Sequence, residues 1–596
     1  MELNAWALAG VAVVGFATFY LGHRSSKLAD STHDFLLARR TVRSRRNAAA
    51  ISGEYLSAAS FLGVAGVVLK DGADALWYPI GFTAGYLALM LFVAAPLRRS
   101  GAYTLPDFVE ARLSSRGMRM FASYVVVLIG VLYLVPQLQG AGLALATILP
   151  TPAWVGGVLV TLVVMVNVVG GGMRAITVVQ AFQYWFKLFA ISAPTFVLCL
   201  VFFGGGAGGG SGALGAPAPP MFTEATTVTV QTPVVLQISA PTSLRADGVV
   251  DGAPADGDVL WAPEVSHEVG AGTTLRFEAG TPVPIVQGAP VHNDRWLTPH
   301  DSGGWDLIGT YSLMFATFLG TMGLPHILVR FYTNPDGKAA RRTTLHVLLL
   351  LGFFYLFPTM LGALSRLYVP ELLVTGKTDA AVLLLPSAML PGVPGQIVTA
   401  VITAGAFAAF LSVCSGLVFS VAGVVSTDMM PGRVRDFRLA SVFVAVIPLG
   451  LAVVLVPADL TMSIGMAFAL AASTFAPILL LGIWWRGLTA KGAMMGMLVG
   501  GGLVLAAFGL TVVSGYTGGW APALVQQPAL ISVPAAFLVA IIVSGATKHS
   551  IPTDVNAVML RMHAPDPLGF LHDREIPRYG LAEERFRLGT SGRHRK

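Results

Sequence analysis

Cysteine is nearly absent: Cys199 and Cys414 are the two in 596 residues, each inside an apolar run. Two such thiols make neither a disulfide framework nor a metal-ligand spacing, so a disulfide-stapled domain and a zinc module are both excluded. Charge is scarce too, at 12% of residues, with 8 lysines against 30 arginines. A soluble chain carries about 25% charged residues, and this one, with a mean hydropathy of +0.71, is far more apolar than a soluble core accounts for. A cationic leader is also missing. Glu2 precedes the first apolar run while Arg24 and Lys27 follow it, the reverse of a signal peptide, so that run is expected to stay as a membrane span.

Long apolar runs fill the room that charge leaves. Uncharged stretches of about 20 residues, enough to cross roughly 30 Å of hydrocarbon, predict an all-α polytopic membrane protein with about 13 transmembrane helices. The first centres near residue 13 and the last near residue 537. Arginine clusters recur on alternate loops: Arg39 to Arg46, Arg98 to Arg119, Arg330 to Arg342, and Arg433 to Arg438. The positive-inside rule places these in the cytoplasm, with the N-terminus outside and the C-terminus, bearing Arg587, Arg593, Arg595 and Lys596, inside a multi-pass plasma-membrane protein. The net charge of +7 is then an orientation signal in membrane lipid, with no nucleic-acid partner required. Arginine over lysine, with abundant alanine and glycine, matches a GC-rich bacterial genome.

One segment, 204–304, breaks the pattern. It opens GGGAGGGSGALGAPAPP, carries ten acids against three arginines, and falls outside the cell by this topology. Its Gly/Pro/Ala runs read as a flexible tether, while alternating apolar residues at 226–240 and 273–286 read as a small β-rich cap. Around it the chain divides into an N-terminal span with a basic loop (1–45), a first block of five spans (46–203), a second block of five (305–486), two C-terminal spans (487–546) and a basic cytoplasmic tail (547–596). Each block opens on an interrupted helix, ISGEYLSAASFLGVAG at 51–66 and FLGTMGLPHILVRF at 318–331. Because five is odd, the second block runs inverted relative to the first. That is the plan of an inverted-repeat transporter, whose broken helices mark the binding site.

Unwound helix is tolerated in lipid only where it is buried or lines a cavity. Unwinding near Gly53 to Leu56 frees carbonyls for a small cation and leaves a positive half-helix end for an anion. In the span 406–429, Ala409, Ser412 and Ser415 recur every three residues, so a carbonyl and two hydroxyls share one face, and hard oxygen donors suit sodium. The competing reading bonds those serines back onto their own helix. Glu54 reads as a proton carrier or cation partner, since an intramembrane carboxylate is functional by default, or else as a structural carboxyl capped by Ser57 and Tyr55. Tyr55 and Ser57 join it as substrate or coupling positions. Gln137, in LVPQLQGAG, reads as a cavity-facing partner for a carboxylate or as a plain helix contact. His326 and Arg330, one turn apart after the second break, read as a gate or hinge, with Arg330 near the cytoplasmic surface. Asp107, behind a proline, reads as a helix cap.

The segments ISGEYLSAASFLG, RRSGAYTLPDFVEARL, VGGGMRAITVVQAF, GTMGLPHILVRFYT and SIGMAFALAASTFAPILLLGIWW resemble the sodium:solute symporter family, most of all its cation/acetate symporter branch. The resemblance runs over roughly 44–500, insert excluded. It implies a leucine-transporter-like inverted five-plus-five repeat with an extra N-terminal helix. It also implies a sodium site built from the carbonyls of Gly53, Leu56 and Ala409 and the hydroxyl of Ser412, with no organic cofactor. The next hydroxyl of that site is Val413 here, and the acids of the proline- and sugar-type members match Tyr55 and Gln180. Coupling is therefore expected to a proton in place of sodium, or to sodium with Ser415 and Glu54 compensating.

The expected function is a secondary active symporter, not an enzyme, importing acetate or a similar short monocarboxylate with sodium or a proton. One rival is another solute, such as pyruvate, propionate or an amino acid. A second is a membrane sensor built on a transporter-like domain, for which the tail beyond Lys548 is short, and a third is a channel, which the paired broken helices disfavour.

Overall fold

The computed structural model describes residues 4–26, 42–204, 215, 218–230, 233–263, 265–287, 289–299, 305–430, 434–455, 460–517 and 520–564. The basic stretch 27–41, the glycine run at 205–214, Arg433 and the tail beyond residue 564 lie outside these. Among the described residues 10 helices are long and apolar enough to cross a membrane, or up to 11 when one bent pair is counted as a span. The expected count of about 13 is not reached. The runs near 58 and 86 join into one apolar stretch, Ala59–Arg99, and the run near 162 yields only the 17-residue helix Trp154–Gly170. Length and composition do not separate limbs divided by a turn as short as Gly72–Leu76.

Helix α1, Ala5–Ser26, precedes the first interrupted helix. That helix has two limbs: α2, Ser44–Tyr55, and, after a π-helical turn over Ala59–Gly63, α3, Val64–Asp71. Two long helices follow the next limb, α4 over Arg116–Ile148 and α5 over Met173–Phe203. The second interrupted helix is α6, Trp305–Gly323, bent by 43° into α7, Pro325–Phe331. Its cause is local: Pro325 lacks an N–H and pushes Leu324 into extended backbone (φ −72°, ψ 113°), so the ladder stops at Gly323. Helices α8 (Gly337–Tyr368), α9 (Val393–Val424) and α10 (Leu460–Trp484) close around both breaks. Near the end of α9, Arg119 on α4 donates to Asp428 at 2.6 Å and to Glu110 at 2.7 Å, tying α4 to the turn that ends α9. Asp107 accepts from the Tyr103 amide at 3.0 Å, while Thr104 caps the same short helix.

The chain is not wholly helical, which corrects the all-α expectation. Among the described residues of the insert, seven antiparallel strands form a sheet: β1 Thr226–Thr229, β2 Val234–Gln237, β3 Thr242–Val250, β4 Ala253–Trp261, β5 Ser266–Val269, β6 Thr274–Phe277 and β7 Ile285–Val286. Their order is β1-β6-β3-β5-β2-β7, with β4 paired to β3. The β3–β4 hairpin turns on Asp251-Gly252, both at positive φ (53° and 75°), the pairing that a two-residue turn demands. Burial works against the Asp251 charge, yet the His267 ring and the Glu268 amide hold its carboxyl below the usual range. Alternation therefore wins over the Gly/Pro content, because Leu236, Leu244, Ala246, Leu275 and Phe277 bury one face.

The insert is clamped to the first interrupted helix. Trp296 Nε1 donates to the carbonyls of Val68 (2.8 Å) and Leu69 (3.2 Å) at the end of α3. Gly72, at φ +63°, lets the Trp296 backbone approach where a Cβ would stand 1.9 Å from its carbonyl oxygen. Arg366, buried at the far end of α8, lies 5.5 Å from the Trp296 ring and donates to Pro290 O (2.9 Å), Asn293 Oδ1 (3.1 Å) and Leu69 O (3.3 Å). Removing a charged hydrogen-bond partner costs about 1.5–3 kcal/mol. Arg366→Ala is therefore expected to speed protease cleavage at 289–299 roughly ten- to a hundredfold in the purified protein, measured by limited digestion; an unchanged rate would show that the clamp holds nothing.

Candidate functional site

The first break leaves the last carbonyls of α2 without their helical partners. Leu56 departs from helical backbone (φ −70°, ψ 89°), so the carbonyls of Gly53 and Leu56 point away from the ladder at its negative end. Lys187, fully buried on α5, fills that position. Its Nζ donates to Gly53 O and, at 3.0 Å, to Leu56 O. The Ser412 hydroxyl on α9 donates to the same Gly53 carbonyl, and Gln180 Nε2 donates to Ser412 O at 2.9 Å. Gly53 has to be glycine here, since a Cβ would stand 2.4 Å from Gln180 O. On the other side of the break Gln137 Oε1 accepts from the Ala58 amide at 3.0 Å, which satisfies the first donor of the second limb.

An ion pair joins the two broken helices. Arg330 on α7 donates through Nε to Glu54 Oε2 at 2.7 Å, and both side chains are almost wholly buried. Its remaining donors reach Thr177 (3.0 Å), the Met173 sulfur (2.9 Å) and Gln180 Oε1, all on α5. Glu54 Oε1 has no hydrogen-bond partner among the described residues and lies against Gly416, where a Cβ would stand 2.1 Å from it. Arg330 thus lies in the core, which corrects its expected place near the cytoplasmic surface. A guanidinium with five donors needs partners that a membrane surface does not gather, and α5 and Glu54 supply them.

Beyond the break the two helices meet an aromatic group. Tyr55 bonds Thr321 at 2.7 Å, linking α2 to α6, and its ring meets those of Tyr86 (4.9 Å), Phe82 and Phe468 (both 6.1 Å) edge-on. Tyr133 approaches the His326 ring at 5.2 Å and Phe468 at 5.9 Å. Both nitrogens of His326, the Tyr86 hydroxyl and Gln137 Nε2 have no hydrogen-bond partner among the described residues, although all are buried. Four unpartnered polar atoms of this kind cost on the order of 1–3 kcal/mol each, so a polar ligand here is favoured.

Of the positions singled out from the sequence, Gly53, Glu54, Tyr55, Leu56, Ser57, Gln137, Ser412 and Arg330 converge on the first break. Ser57 lies within it, buried, its carbonyl accepting from the Phe61 amide at 2.9 Å. His326 joins through Tyr133. Ala409 is buried one turn before Ser412, while no hydrogen bond connects Ser415 to the break among the described residues. Lys187 was missed. Its signal was plain, a single lysine in the apolar run 175–203, the sort of residue that marks function inside a membrane. The implied sodium site does not fit these donors: the ammonium holds the Gly53 and Leu56 carbonyls, the Ser412 hydroxyl turns its hydrogen to Gly53, and Val413 adds no oxygen.

Two interrupted helices joined through buried polar groups inside a helical bundle define a secondary transporter. The chain belongs to the sodium:solute symporter family, whose model matches residues 35–213 and 266–500. It is 28% identical over 560 residues to the uncharacterised symporter YwcA of Bacillus subtilis, covering 90% of this chain and 93% of that one. It is also 28% identical over 544 residues to a monocarboxylic acid transporter of Corynebacterium glutamicum, with 86% of each chain covered. The fold matches that of a Na+-coupled sialic acid symporter in a substrate-bound outward-open state, with a TM-score of 0.62 at 14% identity over 91% of this chain and 98% of that one.

Breaking a buried ion pair by removing one partner costs about 3–5 kcal/mol, because the other charge is left uncompensated. Arg330→Ala alone is expected to lower the thermal midpoint of the purified protein strongly, and Arg330→Ala with Glu54→Gln to recover at least about 1 kcal/mol of that loss. Strict additivity in this cycle would show that the two side chains do not act on each other.

Proposed function

We propose that this chain is a symporter importing acetate or a similar short monocarboxylate together with a cation, sodium or a proton, by alternating access. The observation that carries the reading is the group of buried, unpartnered polar atoms beside the first break: Gln137 Nε2, the His326 ring and the Tyr86 hydroxyl. Gln137 and Tyr86 offer hydrogens to a carboxylate, and the limb that starts at Ala58 turns its positive end toward the same space. The aromatic walls of Tyr55, Tyr133 and Phe468 suit a short alkyl group beside that carboxylate. The name of the Corynebacterium glutamicum relative supports the same substrate class.

In this reading about 13 helices cross the plasma membrane, α1 being the extra one. The N-terminus and the insert lie outside and the tail lies in the cytoplasm. Glu54 and Arg330 bind the broken helices into one rocking bundle. Importing an anion against an inside-negative potential costs about 2.3 kcal/mol per 100 mV, which one accompanying cation cancels.

The test is exchange without any ion gradient. Proteoliposomes holding unlabelled acetate, propionate or pyruvate are expected to take up labelled acetate, while those holding an amino acid are not. Gln137→Ala is expected to weaken the apparent affinity roughly tenfold, the loss of one good hydrogen bond. Trapping only by amino acids, or by none of these solutes, would discard the monocarboxylate assignment.

A further inference from the structure

We propose that Lys187 is the resident cation of this carrier, its ammonium taking on a tether the place that the family's sodium ion would take on the broken helix. The inference builds on the monocarboxylate reading but is tested apart from it. Nζ donates to Gly53 O and Leu56 O, two of the four groups that the family resemblance assigns to sodium, and a third, the Ser412 hydroxyl, is spent on Gly53. A sodium ion at those carbonyls would have to displace a like charge from them, and Lys187 is 0% exposed.

The surroundings offer Lys187 carbonyl oxygens and no carboxylate of its own. Glu54 is the charged group acting on it, and Glu54 is already paired with Arg330. Elsewhere on the packed elements, α9 contributes Cys414, α8 contributes Tyr355, which bonds Ser60 at 2.9 Å, and α1 contributes Thr18, which accepts from Gln183 at 3.1 Å. None of these is a carboxylate. Lys187 therefore rests on neutral carbonyl dipoles at a helix C-terminal end, where a cation is favoured.

Charge balance points the same way. With all three side chains ionised, Glu54, Arg330 and Lys187 give the buried core one positive charge. A monocarboxylate bound beside the break brings it to zero, whereas a sodium ion in addition would restore an unpaired charge in a low-dielectric interior, which is costly. A neutral loaded core needs the lysine and the anion, and no metal ion. The inference thus removes sodium from the Gly53 and Leu56 carbonyls.

The experiment measures binding of radioactive sodium to the purified full-length chain, alongside acetate exchange with sodium replaced by choline. The unaltered protein is expected to bind no sodium above background and to exchange acetate at a rate changed less than about twofold by choline. Lys187→Ala empties the carbonyls and is expected to gain about one sodium per chain, with a thermal midpoint that rises with sodium concentration. Stoichiometric sodium binding by the unaltered protein, or exchange falling more than about tenfold in choline, would overturn the proposal. A folded Lys187→Ala that gains no sodium would overturn the equivalence of ammonium and ion. Where that variant does not fold, the unaltered protein decides alone. Absence of acetate exchange in every buffer refutes the substrate reading and leaves the sodium-binding result standing.

Discussion

A carbonyl or amide left without a partner in hydrocarbon costs several kcal/mol, and this chain breaks two of its helices inside the bundle. Everything around those breaks follows from the need to satisfy them. Lys187 and Ser412 take the carbonyls that α2 releases, and Gln137 takes the amide that opens the next limb. At the second break Pro325 removes one of the donors that a helix start leaves unpaired, and α7 begins there. The difference matters. The first break presents both a cation end and an anion end within a few residues, while the second supplies the guanidinium that ties the two together.

Glu54 and Arg330 make that tie directional. One carboxylate oxygen is held by Arg330 and the other faces Gly416 without a partner among the described residues, so the pair links α2, α5, α7 and α9 at one point. A buried pair contributes little to net stability compared with apolar packing, and its retention is better understood as a fixing of register between elements. Tyr55 and Thr321 make a second link between the broken helices, and the Arg366–Trp296 clamp fixes the far end of α3 to the insert. The first interrupted helix is thus held at its middle by charge and at its end by an aromatic clamp, and any motion of it carries both with it.

Much of this was legible in the sequence, and the failures have physical causes. The breaks are readable from Gly53 and from the stretch Gly320 to Pro325 because glycine and proline act through the backbone alone. Glu54 and Gln137 were readable because polar groups in apolar runs need partners. Arg330 was misplaced because its distance along the helix from the break says nothing of what α5 gathers around it; Met173, Thr177 and Gln180 lie 150 or more residues away in the chain. Lys187 is hard to see because a span announces itself by its lack of charge, and a single cation in a long apolar run leaves that signal intact. In the insert the alternation at 226–240 and 273–286 corresponds to β1, β2, β6 and β7, while the Asp251-Gly252 turn, the strongest local hairpin signal, lay between the stretches considered.

The account stands or falls on what fills the first break. The most direct measurement is an electron cryo-microscopy map of the protein in lipid nanodiscs, in sodium buffer, at a resolution that separates side-chain ends from ions. The expected result is continuous density from the Lys187 side chain to the carbonyls of Gly53 and Leu56. A discrete ion between those carbonyls, with the lysine turned away, would contradict it.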